Sequence, residues 1–229
     1  MAKTRIELLE DKIVEEGLTD EKLLEYEKLL RRAGNDWCRI QHCYLTAYNI
    51  PVERVDEAIK LIEFGIQRYR SDKDGLICAY EYLGATYRQA GLYQKAYDIY
   101  ISIYPYIGNI RGEFPWCLLD TKIHADGFQY SPELEEHLKI CEEDNGFTKS
   151  FLQNKFALAL AKYIVADHYG DNDKKAKAYG TISRMLDKNF KGPLYELLKR
   201  HKFDENLRLT NECRAFLDRI TPQKDNKKR

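Results

Sequence analysis

The sequence predicts an all-α protein, and three observations carry that prediction. Apolar residues recur at the spacing of one helix face along most of the chain, whereas no segment shows the sustained two-residue alternation of a strand. The 229 residues include only 13 Gly and 6 Pro, but 17 Tyr and 9 Phe. Few helix breakers and many aromatic side chains indicate long regular elements that pack through large residues.

The first 34 residues predict two helices that cap the rest of the fold. The first helix covers 4–16 and has one apolar face: Ile6, Leu9 and Ile13. Thr19 is a suitable N-cap for the second helix, and Gly34 is placed to end it.

Residues 51–70 show the clearest periodicity. Pro51 suits the first helical position, and apolar residues follow at steps of 4, 3, 4 and 3: Val55, Ile59, Ile62, Ile66 and Tyr69. Periodicity together with Gly and Pro punctuation predicts the other helices: 36–48, 76–90, 92–104, 115–125, 132–144, 148–168, 172–188, 193–201 and 204–220. The tail, 221–229, has almost no apolar residue, which predicts disorder.

One pair of these helices carries a repeat motif. Six of its residues resemble the tetratricopeptide repeat in type and spacing: Tyr80, Leu83, Gly84, Tyr87, Ala96 and Tyr100. The resemblance is close only over 78–105. Because Gly84 and Ala96 are small, two antiparallel helices can approach closely there, and we expect these two residues to pack against each other.

The repeat recurs more weakly along the chain. Its leading aromatics are Trp37, Tyr80, Trp116, Phe156 and Tyr195, spaced 43, 36, 40 and 39 residues apart, against about 34 in the family. The resemblance implies a right-handed α-α superhelix of about 10–12 helices in one domain, 1–220. In that domain 1–34 are N-terminal caps, 36–188 are repeat pairs and 192–220 are C-terminal caps. The alternative is a non-repetitive helical bundle with one accidental match.

The resemblance also implies where a partner binds. In this family the concave surface comes from the first helix of each pair, at the positions between its packing residues. Those positions predict seven partner-binding residues: Arg39, His42, Glu81, Tyr82, Arg88, Thr121 and His124. For each of them, the alternative is an ordinary solvated helix face.

The sequence contains no catalytic motif. It has no phosphate-binding loop, no nucleophile elbow and no HExxH zinc motif, so we expect no catalytic residue, no cofactor and no metal ligand. The six cysteines are scattered, without a CxxC pair. Cys38 and His42 lie four residues apart on one predicted helix and could form half of a metal site, although small buried hydrophobes are the simpler interpretation of the cysteines. His137 and Cys141 form a similar pair.

Charge and hydropathy narrow the class of protein. The 37 basic and 37 acidic residues argue against a general nucleic-acid or membrane-surface role. The chain shows no apolar span and no signal peptide, and scattered cysteines are typical of reduced thiols, so we expect a cytoplasmic protein.

We therefore predict a non-catalytic module that binds a protein or peptide, such as an accessory, inhibitor, immunity or chaperone-like protein. The alternatives are a metal-dependent enzyme that uses a Cys/His site and a self-associating structural protein. The sequence makes no prediction of the oligomeric state.

Overall fold

The structure is a computed structural model that describes residues 3–107, 114–144 and 152–189. Within these ranges every regular element is helical, so the all-α prediction is confirmed there. The ten α-helices run in the following order: α1 Arg5–Glu16, α2 Asp20–Leu30, α3 Asp36–Tyr48, α4 Val55–Arg68, α5 Lys73–Gln89, α6 Tyr93–Ile107, α7 Phe114–Ala125, α8 Pro132–Glu143, α9 Leu152–His168 and α10 Asn172–Asn189. The predicted helices 193–201 and 204–220 and the predicted tail lie outside the described residues.

Side-chain caps determine where several helices begin. Thr4 and Glu7 form a reciprocal capping box at the start of α1. Thr19 accepts a hydrogen bond from the first turn of α2, as its position in the sequence predicts, and Ser131 does the same for α8. Pro51 differs from its prediction: its extended backbone precedes a short 3₁₀ turn, Val52–Arg54, and α4 begins only at Val55.

The chain divides into two compact units, Met1–Ala125 and Asp126–Arg229. In the first unit, α1 packs on α2, α3 on α4 and α5 on α6. The first helices of these pairs also pack in sequence, α1 on α3 and α3 on α5. In the second unit α9 packs on both α8 and α10. Packing between neighbouring helices is consistent with a helical array, and the single domain inferred from the sequence stays a prediction.

Apolar stripes from successive helices form the core of the first unit. Side chains of this unit that are almost completely buried come from α1 to α4 and from α7: Ile13, Tyr26, Leu30, Ile40, Leu61, Ile62, Leu118, Leu119 and Ile123. No helix in the described ranges combines the length and the apolarity that a membrane span requires.

Gly84 marks the closest approach of α5 and α6. An added Cβ at Gly84 would lie 2.4 Å from Cε1 of Tyr100, and its three nearest atoms all belong to that ring. Gly84 therefore makes room for the ring of Tyr100. Tyr100 lies one turn after Ala96 on α6, and Ala96 is the residue that the sequence predicts as the partner of Gly84. Ala96 itself is fully buried.

Candidate functional site

The first wall of the candidate site is an acidic face of α1. Four carboxylates share that face because their spacing follows the helical period: Glu7, Glu10, Asp11 and Glu15. The apolar residues Leu9 and Ile13 are buried on a different face of the same helix. Burial of the apolar face therefore sets the rotation of α1 and leaves its acids outside the core.

The second wall is α3, and the two helices enclose a groove of about 510 Å³. α3 contributes mostly polar side chains, with one exposed leucine: Gln41, His42, Leu45, Thr46 and Asn49. Among the described residues that line this groove, His42 has the only basic side chain. Four carboxylates around one imidazole produce a negative potential, which attracts cations.

Glu10 is held in place by hydrogen bonds from two other helices. The buried Tyr26 of α2 donates its hydroxyl hydrogen to Glu10 Oε1 at 2.7 Å. His42 Nδ1 lies 2.7 Å from the same oxygen. The hydrogen bond to Glu10 raises the pKa of His42, the negative charges of Glu10 and Glu7 add to that effect, and burial opposes it. When the imidazole is protonated, it forms an ion pair with this carboxylate.

The other three carboxylates are less constrained. Glu7 accepts hydrogen bonds from Thr4 in the capping box. Asp11 pairs with Lys3 at 2.5 Å, but both side chains are exposed, and such pairs stabilise little. Within the described residues, Glu15 makes no hydrogen bond or ion pair. Asp11 and Glu15 are therefore the carboxylates best able to accept hydrogen bonds from a ligand.

An apolar patch adjoins the groove on α3 and α5. Leu45 is 41% exposed and Tyr48 is 55% exposed. Tyr82 of α5 stacks on the buried Tyr44, with ring centroids 4.5 Å apart, and meets Tyr48 edge-on at 5.7 Å. Exposed tyrosine and leucine side chains beside a groove are typical of interaction surfaces. Two of the seven predicted binding residues, His42 and Tyr82, thus belong to one surface.

Arg39, another predicted binding residue, has bonds within the fold. Its guanidinium donates to the carbonyl oxygens of Leu30 and Arg31, at 3.1 and 3.2 Å, and to Asp36 Oδ1 at 3.0 Å. It therefore satisfies carbonyl groups at the C-terminal end of α2 that have no partner within that helix.

Three more predicted binding residues lie in the interior. Arg88 is 8% exposed and donates to Asp120 Oδ2 at 2.5 Å and to Cys117 Sγ at 3.1 Å. Thr121 is fully buried and donates to the Cys117 carbonyl oxygen at 2.7 Å. The His124 side chain is 1% exposed, and its ring stacks on Tyr93 at 4.7 Å. These side chains offer almost no surface to a partner as they stand, and their assignment to a binding groove stays a prediction.

Glu81, the last of the seven, is half-buried. The acids of α1 are absent from the predicted set because residues 1–34 are predicted to form a cap. Their signal was present in the sequence, since acids at i, i+3, i+4 and i+8 share a helix face.

The Cys38 and His42 side chains, which the metal-dependent enzyme alternative would use, both lie on α3. Cys38 is a free thiol, and His42, one turn further along α3, bonds to Glu10. In the part of the chain that the structure describes, no group of three or more His, Cys, Asp and Glu side chains is arranged to hold a metal ion.

These observations define an all-α protein whose helices pack in sequential pairs and whose first unit carries an acidic groove beside an apolar patch. Comparisons of the chain with protein-family models, curated proteins and solved structures found no match. The resemblance to tetratricopeptide repeats therefore stays a prediction from the sequence.

Proposed function

We propose that this chain is a non-catalytic module that binds a protein or peptide, and that its first unit receives a basic segment of that partner. The observation that carries the proposal is the groove between α1 and α3, which is lined by four carboxylates and one imidazole. A lysine or arginine side chain in this groove would form charge-assisted hydrogen bonds, which are stronger than neutral ones.

The apolar patch supports a peptide ligand over a small cation. Leu45 both lines the groove and contributes to the patch, and Tyr48 lies one turn further along α3. A peptide with an apolar residue beside its basic residue would contact both features. Tyrosine and leucine side chains of this kind supply buried contact area, while the charged side chains orient the peptide and give specificity.

We propose that the helix pairs of the first unit wind in a right-handed superhelix of the tetratricopeptide type. The support is the packing of α1 on α3 and of α3 on α5, each beside its own second helix. The groove and the patch lie on these first helices, where the resemblance places the binding surface. A cytoplasmic site of action is supported by the scattered cysteines, which are typical of reduced thiols.

A labelled basic peptide tests the proposed function. The probe is a short fluorescein-labelled peptide that alternates arginine and leucine, and binding to the full chain is followed by fluorescence anisotropy. Replacing Asp11 and Glu15 together, as Asp11→Asn with Glu15→Gln, should weaken binding about tenfold, because both carboxylates face the groove.

The matched control is Glu25→Gln, which neutralises an exposed carboxylate of α2 outside the groove. It should leave affinity unchanged. Equal affinities for the parent and the Asp11/Glu15 variant, or an equal loss in the Glu25 variant, would contradict binding in this groove.

A further inference from the structure

We infer that the second unit carries a separate docking site, a trough that takes an acidic amphipathic helix of a partner protein. The trough is lined by α8, α9 and α10 and has a volume of about 850 Å³. It shares no residue with the acidic groove of the first unit, so the inference does not depend on the function proposed above.

The shape of the trough follows from the order of its three helices. α9 packs between α8 and α10 and forms the floor. The lining residues run at helical spacing from Lys155 of α9 to Tyr169, which follows the end of α9 and whose backbone N–H donates to the Val165 carbonyl oxygen. At about 1.5 Å per residue this stripe is roughly 21 Å long, which is about four helical turns. The trough therefore matches the length of a short helix.

Small side chains make the floor deep and apolar. Ala159 and Ala166 of α9 and Ala178 of α10 are nearly buried, at 5%, 5% and 6% exposure. Larger apolar residues complete the lining: Leu138, Leu158, Val165 and Met185. The half-buried side chains of Leu158, Val165 and Met185 supply the apolar surface against which a partner can pack, and the small alanines between them keep the floor low.

The rim of the trough has an excess of positive charge. Each of its three acids pairs with a lysine of the same rim: Glu135 with Lys139 at 3.0 Å, Glu142 with Lys162 at 2.8 Å and Asp171 with Lys174 at 3.0 Å. Two further lysines complete the rim, namely Lys155 and Lys177. Within the described residues the ammonium groups of both make no ion pair.

These features select one kind of occupant. An amphipathic helix would place apolar side chains at i, i+3, i+4 and i+7 on the floor and present glutamates on its flanks to Lys155 and Lys177. A single fatty acid has one carboxylate and cannot meet both lysines. Charge complementarity, an apolar floor and four turns of length together favour an acidic amphipathic helix.

The test compares two labelled peptides of about 14 residues, a length of about four turns. Both carry leucines at i, i+3, i+4 and i+7, and their flanking positions are glutamate in one and lysine in the other. The glutamate peptide should bind the full chain at least about tenfold more tightly than the lysine peptide, as measured by fluorescence anisotropy at low salt.

Three variants locate the binding. Lys155→Glu with Lys177→Glu should weaken binding of the glutamate peptide about tenfold or more, because both charges of the rim are reversed. Leu158→Ala removes a half-buried side chain of the floor without a change of charge, and it should weaken binding several-fold. Lys73→Glu, at an exposed lysine outside the trough, should have no effect. A thermal unfolding curve of each variant checks that the fold is retained.

Several results would overturn the inference. Equal binding of the two peptides, or full affinity after both lysine reversals, would show that charge does not select the ligand. If oleate binds tightly and displaces the peptide, the ligand of the trough is a lipid and not a helix. A concentration-dependent mass in the absence of peptide, lost in the lysine double variant, would show that the trough joins two copies of the chain.

Discussion

At the scale of single residues, Glu10 connects three helices of the first unit. It belongs to α1, and it accepts hydrogen bonds from Tyr26 of α2 and His42 of α3. Tyr26 is completely buried, and its hydroxyl also lies 3.1 Å from Thr46 Oγ1. Loss of one member would leave buried polar atoms without a partner, which is more unfavourable than the bond itself is favourable.

Replacing Tyr26 with phenylalanine tests this network. Tyr26→Phe should lower the free energy of unfolding by about 1–3 kcal/mol, because Glu10 and Thr46 each lose a hydrogen-bond partner. Urea unfolding measures the difference. Tyr106→Phe, at a side chain that is 65% exposed, is the control and should change stability little. Equal stability of the two variants would argue against the network.

The pair of His42 and Glu10 also predicts a dependence of stability on pH. Since folding raises the pKa of His42, the stability that the pair contributes is fully present below the ordinary pKa, about 6.5. It is lost as the pH rises through the folded pKa. The parent should therefore exceed His42→Gln in stability by more at about pH 5.5 than at about pH 8.5. Urea midpoints across this range measure the difference, and parallel pH profiles would contradict it.

At the scale of elements, helices approach each other where glycine removes a side chain. The ring of Tyr100 occupies the place that a side chain at Gly84 would need, and Tyr100 is itself 2% exposed. At Gly180 of α10, no atom of the described residues outside the backbone of that helix lies within 4 Å of the same position, so no described neighbour requires a glycine there. The two glycines lie in helices but have opposite roles.

Alanine substitutions separate these roles. Gly84→Ala should destabilise the protein by about 1–3 kcal/mol, because the new methyl group overlaps the Tyr100 ring. Gly180→Ala should stabilise it by about 0.5–1 kcal/mol, because alanine favours the helical backbone and meets no obstacle. Urea unfolding measures both. Adding Tyr100→Leu to Gly84→Ala should recover part of the loss, and a loss that is equal in both backgrounds would contradict overlap with the ring.

At the scale of the whole molecule, each unit carries a charged surface feature, and the two features differ in sign. The groove of the first unit is acidic, whereas the rim of the trough in the second unit is basic. A chain with equal numbers of acidic and basic residues can thus hold two distinct charged surfaces. The net charge is the sum over the whole chain, so a value of zero does not exclude local patches of acidic or basic side chains.

The two surfaces should bind independently. The Asp11→Asn, Glu15→Gln variant should lose affinity for the arginine peptide and keep its affinity for the glutamate peptide. The Lys155→Glu, Lys177→Glu variant should do the reverse, since the sites share no residue. Both affinities should fall as salt screens the charges. Anisotropy titrations of the four combinations measure this, and loss of both affinities in one variant would contradict separate sites.

The sequence by itself determined the helices, because their signals are local. It predicted 36–48 and 132–144, and the structure has α3 at Asp36–Tyr48 and α8 at Pro132–Glu143. Caps and apolar periodicity act within a few residues of a helix and are visible without the rest of the fold.

Only the tertiary structure decided which side chains form the surface. Arg88 and His124 have polar side chains at positions assigned to a groove, yet contacts with residues from other parts of the chain bury both. The acids of α1 became part of a site because α3 packs beside them. Burial depends on neighbours that are distant in sequence, and a periodic pattern identifies a helix face without identifying what covers it.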